Sequence, residues 1–254
     1  MNTLGKSLCR FWHSSIGKKW IVALTGAVMV LFLIGHLSGN LLMYFGREAM
    51  NDYANFLHDL AHGTFIWIAR GFLLFSFVLH IVATISLVRA NRAARGPRHY
   101  ECEDTVQASK SSRIMIWSGL TVLAFVVFHI LHFTIRVDPE LAQMKDPAMP
   151  GRQDVFGMVV AGFQNPFVVV FYIVGLTLLC SHLRHGIASV FQTLGARTEK
   201  VRGVEGKFGW ALALILWFGF LTIPVAAITG VFGDPPDVEI IGSEDPTEEA
   251  EETE

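Results

Sequence analysis

The sequence is poor in charged residues and in cysteine, and both shortages restrict what it can be. Only 17% of its 254 residues are charged and 52% are hydrophobic, a balance typical of a chain that crosses a membrane several times. Its three cysteines include no CxxC pair, which argues against an iron–sulfur cluster or a disulfide framework. It also has no dinucleotide fingerprint and no strand-like alternation. We therefore expect an all-α polytopic membrane protein that does not bind nucleic acid.

Five apolar runs are long enough to cross a bilayer as helices, since about 20 residues suffice at ~1.5 Å rise each. They cover residues 20–45, 65–89, 114–136, 166–190 and 208–231, and none of them contains Asp or Glu. Residues 1–233 are thus expected to form one membrane domain. The tail, residues 234–254, has ten acidic and no basic residues; it cannot bury enough apolar surface to fold, so it should be disordered.

Lysine and arginine are concentrated on one side of this arrangement. Fifteen of the twenty basic residues fall on one side: in the N-terminal segment, in the connection between spans two and three, in the connection between spans four and five, or in the adjoining ends of spans two and four (Arg89 and Arg184). The positive-inside rule then places the N-terminus in the cytoplasm and the C-terminus outside. The expected location is the bacterial cytoplasmic membrane. On the outer side, residues 47–63 have near-helical apolar spacing and predict a helix at the interface.

The candidate functional residues of the chain are histidines inside four of the spans. His36 and His129 lie about 22–24 Å from the inner edges of their spans, and His80 and His182 lie as far from the outer edges of theirs. They form two pairs at levels roughly 15 Å apart. Because two neutral imidazoles fill both axial positions of a haem iron, we predict two haems b. Helices I–IV would form a four-helix bundle around them, with helix V peripheral.

Other interpretations of these histidines exist. A single histidine in a span is more often a hydrogen-bonded core residue or part of a proton relay than a haem ligand. It is the matched depths of four histidines that favour haem. His132 and His185 follow His129 and His182 by three residues on the same helical faces, and we expect them to contact haem propionates or the interface. A haem-free transporter with a histidine relay is the competing class, and a visible spectrum would separate the two.

Several motifs add a family resemblance that extends from Ser14 to about Val231. They are Ser14-Ser15-Ile16-Gly17-Lys18-Lys19, Thr25-Gly26, Gly35-His36, Gly39-Asn40-Leu41, Tyr53-Ala54-Asn55-Phe56-Leu57-His58, His129-Ile130, His182 with His185-Gly186, and Phe191-Gln192-Thr193-Leu194-Gly195. Together they resemble the cytochrome b558 subunit of succinate dehydrogenase and fumarate reductase, the five-helix diheme anchor of succinate:quinone oxidoreductase. The resemblance implies that His36 and His129 bind the haem distal from the catalytic subunits, and His80 and His182 the proximal one.

The resemblance also implies a role in the respiratory chain and the tricarboxylic acid cycle. The chain would carry electrons between a cytoplasmic iron–sulfur subunit, itself bound to a flavoprotein subunit, and membrane quinone, often menaquinone in this family. It has no succinate site of its own, so that chemistry would occur on the partners, docked on the basic face. The complex could form a higher oligomer. The alternative left open is the diheme anchor of a hydrogenase or formate dehydrogenase, whose catalytic partner usually lies outside.

We expect the quinone site near the outer haem, because electrons that reach that end need a lipid-soluble carrier there. A quinol that is oxidised needs a proton acceptor within hydrogen-bond reach. Glu48, His58 and His132 are the candidates at this level. Some diheme relatives are thought to move protons through an acidic side chain on the fourth helix; this chain has Cys180 in that neighbourhood and no acid, so we do not expect such a path.

Overall fold

The computed structural model describes residues 3–95, 115–196 and 203–234. Within these ranges the regular structure is helical, and five helices are long and apolar enough to span a membrane. The predicted all-α, multi-pass architecture is thus confirmed. The basic connection 96–114, the segment 197–202 and residues 235–254 of the acidic tail lie outside the described residues. The helices are α1 (Thr3–His13), α2 (Ser15–Asn40), α3 (Arg47–Asp59), α4 (Thr64–Arg95), α5 (Met115–His129), α6 (Pro139–Gln143), α7 (Val155–Gly162), α8 (Pro166–Thr193) and α9 (Val204–Ile228).

The first spanning helix begins earlier than its apolar run, because a capping residue precedes it. The side chain of Ser14 accepts a hydrogen bond from the Gly17 amide at 2.8 Å, which satisfies one of the unpaired donors of the first turn. The helix ends at Asn40, and a 3-10 turn (Leu41–Phe45) follows. Gly46, with φ of +97°, then redirects the chain into α3, a conformation that glycine adopts without strain.

The ends of two other spanning helices differ from the apolar runs that predicted them. Helix α4 continues six residues past the predicted end to Arg95, because the alanines and arginines of this stretch have high helix propensity. Helix α5 gives way after His129 to a π-helical turn, Ile130–Ile135, which ends at Arg136 in the left-handed conformation. The π turn changes which side chains share a face just beyond His129.

The spanning helices pack in a chain of neighbours. Helix α2 lies against α4 and α8, α5 lies against α8, and α9 lies mainly against α8. Gly175 allows α5 and α8 to approach closely, since a Cβ atom built there would lie 2.3 Å from Cδ2 of Phe125. Helix α4 exposes large apolar side chains along most of its length, among them Trp67, Phe72 and Phe75. Such a surface is suited to hydrocarbon.

One end of the helix assembly is covered by a folded cap, formed by α3, α6, α7 and their connections (residues 41–63 and 136–165). Its core includes Met43, Met144, Phe156 and Val160, all buried. The predicted helix in 47–63 is confirmed as α3. Helices α6 and α7 were not predicted from the sequence. The opposite end, where α2 and α9 begin and α8 ends, is called the basic end.

Candidate functional site

His80 and His182 are held in the same way by two different helix pairs. Nδ1 of His80, on α4, lies 3.0 Å from Oγ1 of Thr25 on α2. Nδ1 of His182, on α8, lies 3.2 Å from Oγ of Ser118 on α5. In both cases the hydroxyl belongs to the residue just before a glycine, in Thr25-Gly26 and Ser118-Gly119. Two unrelated stretches of sequence therefore build one repeated arrangement.

The hydroxyl contacts select the tautomer of both rings. Oγ1 of Thr25 donates its single proton to the Ile21 carbonyl at 2.6 Å, and Oγ of Ser118 donates to the Met115 carbonyl at 3.0 Å. Each hydroxyl can then only accept a hydrogen bond from the imidazole. Nδ1 therefore carries the hydrogen and Nε2 keeps its lone pair, the arrangement that metal-binding histidines show when a neighbouring group orients them.

The two glycines leave space beside these rings. A Cβ atom built on Gly26 would lie 3.5 Å from Cε1 of His80, and one built on Gly119 would lie 3.5 Å from Cε1 of His182. A larger side chain at either position would extend over the imidazole. Both histidines are only half-buried by protein, so each presents part of its ring beside a glycine surface. This arrangement suits the close approach of a flat macrocycle.

His36 and His129 form the second pair, nearer the cap. Their ring centroids are 5.8 Å apart and the ring planes are inclined by 77°. Two imidazoles that bind one metal ion from opposite sides, each at about 2 Å, have centroids about 6 Å apart, so the observed separation is close to that of a bis-histidine site. Phe32 stacks on His36 at 5.2 Å and Phe125 on His129 at 6.2 Å, which surrounds the pair with apolar rings.

The polar contacts of His36 and His129 do not determine which ring nitrogen carries the hydrogen, unlike those of His80 and His182. Nδ2 of Asn40 donates to the His36 carbonyl at 2.7 Å and lies 3.3 and 3.4 Å from the two ring nitrogens of His36. The hydroxyl of buried Tyr172 lies 3.2 Å from Nδ1 of His129 and 3.1 Å from Nδ1 of His132. Tyr172 can donate to one ring and accept from the other, so it couples His129 to His132.

The second histidines of α5 and α8 have different surroundings from the first. His132 packs on Phe133, with centroids 4.0 Å apart, and points toward Gly162 of α7. It therefore faces the cap, and it is His129 that approaches His36. Nε2 of His185 lies 3.1 Å from Nη2 of Arg184, on the side of α8 that faces α9. His129 and His132 thus share the hydroxyl of Tyr172, whereas His182 contacts Ser118 and His185 contacts Arg184. The choice of His129 and His182 as ligands stays a prediction.

The three predicted quinone-site residues are not brought together. Glu48 and His58 are both exposed on α3, and their positions ten residues apart put them about 15 Å from one another along the helix axis. They cannot contact the same quinone oxygen. His132 instead contacts the aromatic group around Tyr172. His132 is joined by hydrogen bonds through Tyr172 to a candidate ligand, His129.

A buried ion network fixes the cap over this second pair. Arg152 pairs with Asp146 at 2.8 Å and also with Asp52, and Arg47 pairs with Asp154. Asn51, fully buried, donates to Asp146 at 2.6 Å and to Asp154 at 2.9 Å. The network joins α3 to the connection that carries α7. Asn51, Asp146, Arg152 and Asp154 are buried. Leaving any of these four unpaired would be costly, so the network holds the cap closed.

The charge states within the network follow from its contacts. Burial alone would raise the pKa of Asp146, but hydrogen bonds from the Ala148 amide, Asn51 and Arg152, together with the Arg152 charge, hold that pKa below its usual range. Burial alone would lower the pKa of Arg152, but Asp146 and Asp52 raise it. Both groups are therefore charged at neutral pH.

The rings of His36 and His129 are in contact, and within the described ranges no three His, Cys, Asp or Glu side chains form a group that could hold a metal ion. The residues present fit haem, because each pair supplies two neutral imidazoles from two helices and the first pair adds glycine surfaces. Sequence analysis missed Ser118 and Tyr172. The repeated hydroxyl–glycine pair could have indicated Ser118, whereas nothing in the sequence links Tyr172 to His129.

Comparison with protein-family models, with curated proteins and with solved structures found no match for this chain. The resemblance to the cytochrome b558 subunits therefore stays a prediction from motifs. What the fold defines is a multi-pass helical membrane protein with paired intramembrane histidines. Any more specific function rests on the geometry of those pairs.

Proposed function

We propose that the chain is a diheme cytochrome b, the membrane anchor of a succinate:quinone oxidoreductase. His80 and His182 would bind one haem b and His36 and His129 the other. The single observation that carries this proposal is the hydroxyl contact at Nδ1 of both His80 and His182, because a ring that donates from Nδ1 has Nε2 available to bind iron. A haem iron with two imidazole ligands supplies one-electron transfer and has no open position for a gas or substrate.

Residues around the ligands have distinct roles in this proposal. Thr25 and Ser118 orient the rings, since their hydroxyls accept from Nδ1. Gly26 and Gly119 keep the adjacent surfaces flat. Phe32 and Phe125 exclude water from the pair nearer the cap. Helices α2, α4, α5 and α8 supply all of these residues and would form the four-helix bundle, while α9 has no histidine and lies beside α8.

The two ends of the helix assembly differ in charge and in what covers them, and this difference supports a partner docked on the basic end. The cap, held by buried ion pairs, covers the other end. Among the residues that the structure describes, the basic end carries nine of the fourteen lysines and arginines and would attract acidic surfaces of soluble subunits. This favours a cytoplasmic flavoprotein and iron–sulfur pair over the outer partner expected for a hydrogenase or formate dehydrogenase anchor.

Quinone would react near the pair under the cap, since that pair lies furthest from the proposed partners. His132 is the proton-exchange candidate that the structure favours, because Tyr172 connects it to His129. Glu48 and His58 remain candidates for proton release at the surface of α3. Quinone and haem would thus use neighbouring residues without sharing a ligand.

Affinity purification of the complex through a tag on this chain tests the proposal. We expect a flavoprotein and an iron–sulfur subunit to co-purify, and the preparation to reduce a quinone analogue with succinate or to reduce fumarate with a quinol. Co-purification of a nickel or molybdenum enzyme would instead identify the alternative class of anchor. A chain that purifies without any redox subunit and without a haem spectrum would contradict the proposal.

A further inference from the structure

A groove of about 740 Å³ runs between α8 and α9 at the basic end of the molecule. It is separate from the histidine pairs and has no role in the proposed function. Its walls combine cationic, aromatic and small apolar residues. The lining residues are Arg184, His185, Ala188, Gly203, Gly206, Lys207, Trp210, Ala211 and Leu214.

The polar part of the groove is positively charged and partly fixed in place. The guanidinium of Arg184 lies over the ring of Trp210, 4.6 Å from its centroid, and Nη2 of Arg184 donates to Nε2 of His185 at 3.1 Å. Lys207 lies exposed on α9, one turn before Trp210. Arg184 on α8 and Lys207 on α9 therefore line the groove from opposite helices.

The apolar part continues from the cations toward the middle of the span. Trp210, Ala211 and Leu214 are all exposed on α9, and Leu214 lies about 10 Å further along the axis than Lys207. At the other end of the groove, Gly203 and Gly206 have no side chain to close the entrance. A ligand there would place an anionic group beside Lys207 and Arg184 and a long apolar group along Trp210, Ala211 and Leu214.

We infer that this groove binds an anionic phospholipid of the phosphatidylglycerol type. The phosphate lies between Lys207 and Arg184, and one acyl chain follows the exposed face of α9. Basic grooves between spanning helices at a membrane interface recognise anionic headgroups in this way, and an exposed tryptophan is suited to the headgroup level. A small soluble anion would leave the apolar half unused, and a soluble protein would approach the end of the bundle, not its lipid-facing side.

Native mass spectrometry of the full-length chain, titrated with dioleoyl phosphatidylglycerol or dioleoyl phosphatidylcholine, tests the inference. Each cation near a headgroup contributes about fivefold, so we expect phosphatidylglycerol to bind about 25-fold more tightly than phosphatidylcholine. Lys207→Gln should reduce that preference about fivefold. Lys19→Gln is the matched control, because it removes an exposed lysine at the same end but outside the groove; it should leave the preference unchanged.

Two further measurements test where the ligand binds. Phosphatidylglycerol with brominated acyl chains should quench the tryptophan fluorescence of the protein, and the quenching should decrease in Trp210→Phe. In a competition measurement, 10 mM inorganic phosphate should not displace the lipid. Equal affinity for the two lipids, or equal loss of preference in Lys207→Gln and Lys19→Gln, would overturn the inference. Displacement by phosphate would assign the groove to a soluble anion, and displacement by bound soluble subunits would assign it to a protein partner; either result would also overturn it.

Discussion

Oγ1 of Thr25 accepts a hydrogen bond from Nδ1 of His80 across 3.0 Å, from one spanning helix to the next. The proton of this hydroxyl is already donated to the Ile21 carbonyl, so the contact fixes which ring nitrogen of His80 is protonated. Ser118 and His182 repeat the arrangement on α5 and α8. Two histidines on independent helices are thus held by the same kind of contact, which supports the proposal that both bind a cofactor.

Replacing the hydroxyls should therefore weaken haem binding without removing a ligand. Thr25→Val keeps the shape of the side chain but removes the hydroxyl that contacts Nδ1 of His80, leaving the Val22 carbonyl as the remaining partner of the ring. We expect the affinity of this site for haem to fall about 10–100-fold. Transfer of haem to apomyoglobin measures this loss. Thr25→Ser retains the hydroxyl and should behave as the unmodified protein. Equal haem retention in the Val and Ser variants would show that Thr25 does not orient His80.

The buried ion network should determine the stability of the cap. Asp154 is 1% exposed; its carboxylate pairs with Arg47 and accepts from Asn51 and from the Gly157 amide. Asp154→Ala should lower the free energy of cap opening by about 3–5 kcal/mol, because it leaves buried partners unpaired. Hydrogen exchange of the α7 amides measures this opening.

Glu140→Gln is the control for that substitution. Glu140 is an exposed acidic residue of the same connection, and its replacement should change the opening free energy by less than about 0.5 kcal/mol. If the two variants exchange at the same rate, the network does not hold the cap.

The cap should be stable at neutral pH and open in acid. The pKa of Asp146 is lower in the folded chain than its usual value of about 3.9. A lowered pKa contributes stability that is fully present above the usual value and is lost as the pH falls through the folded value. Exchange in α7, corrected for intrinsic rates, should be constant from pH 7 to 5 and increase below about pH 4. Asp146→Asn should remove this dependence, whereas a transition near pH 6 would indicate a histidine instead.

Single substitutions near the cap test the quinone site. His132→Asn should reduce quinone-linked turnover while both haems remain, because His132 is hydrogen-bonded through Tyr172 to His129. Glu48→Gln and His58→Asn report whether α3 takes part in proton release. We expect the largest decrease for His132→Asn. Wild-type turnover in all three variants would place the site elsewhere, with the basic end near Trp117 as the next candidate.

The sequence was sufficient to predict the spanning helices, since long apolar runs leave few alternatives in a bilayer. Helical periodicity also indicated α3. It was not sufficient for α7, whose eight residues form a helix only because Asp154 caps the first turn and the cap buries them. That stability comes from contacts distant in sequence, such as Asn51 with Asp146 and Asp154.

The candidate site was predictable to a similar degree. Counting residues from the span edges gave the depths of the four histidines, and the structure brings His36 and His129 close together as those depths require. Depth alone could not show which groups orient the rings. Thr25 and Ser118 reach their histidines only through the packing of α2 on α4 and of α5 on α8, and Tyr172 depends on the packing of α5 on α8 as well.

Haem stoichiometry tests the central claim most directly. A pyridine haemochrome assay on the purified complex should give two haems b for each copy of this chain, both six-coordinate in the reduced-minus-oxidised spectrum. His182→Asn should remove mainly the haem nearer the basic end and His36→Asn mainly the haem under the cap, whereas His185→Asn, three residues along the same helix, should retain both. One haem or none in the unmodified protein, or the same haem loss in His185→Asn as in His182→Asn, would contradict this account.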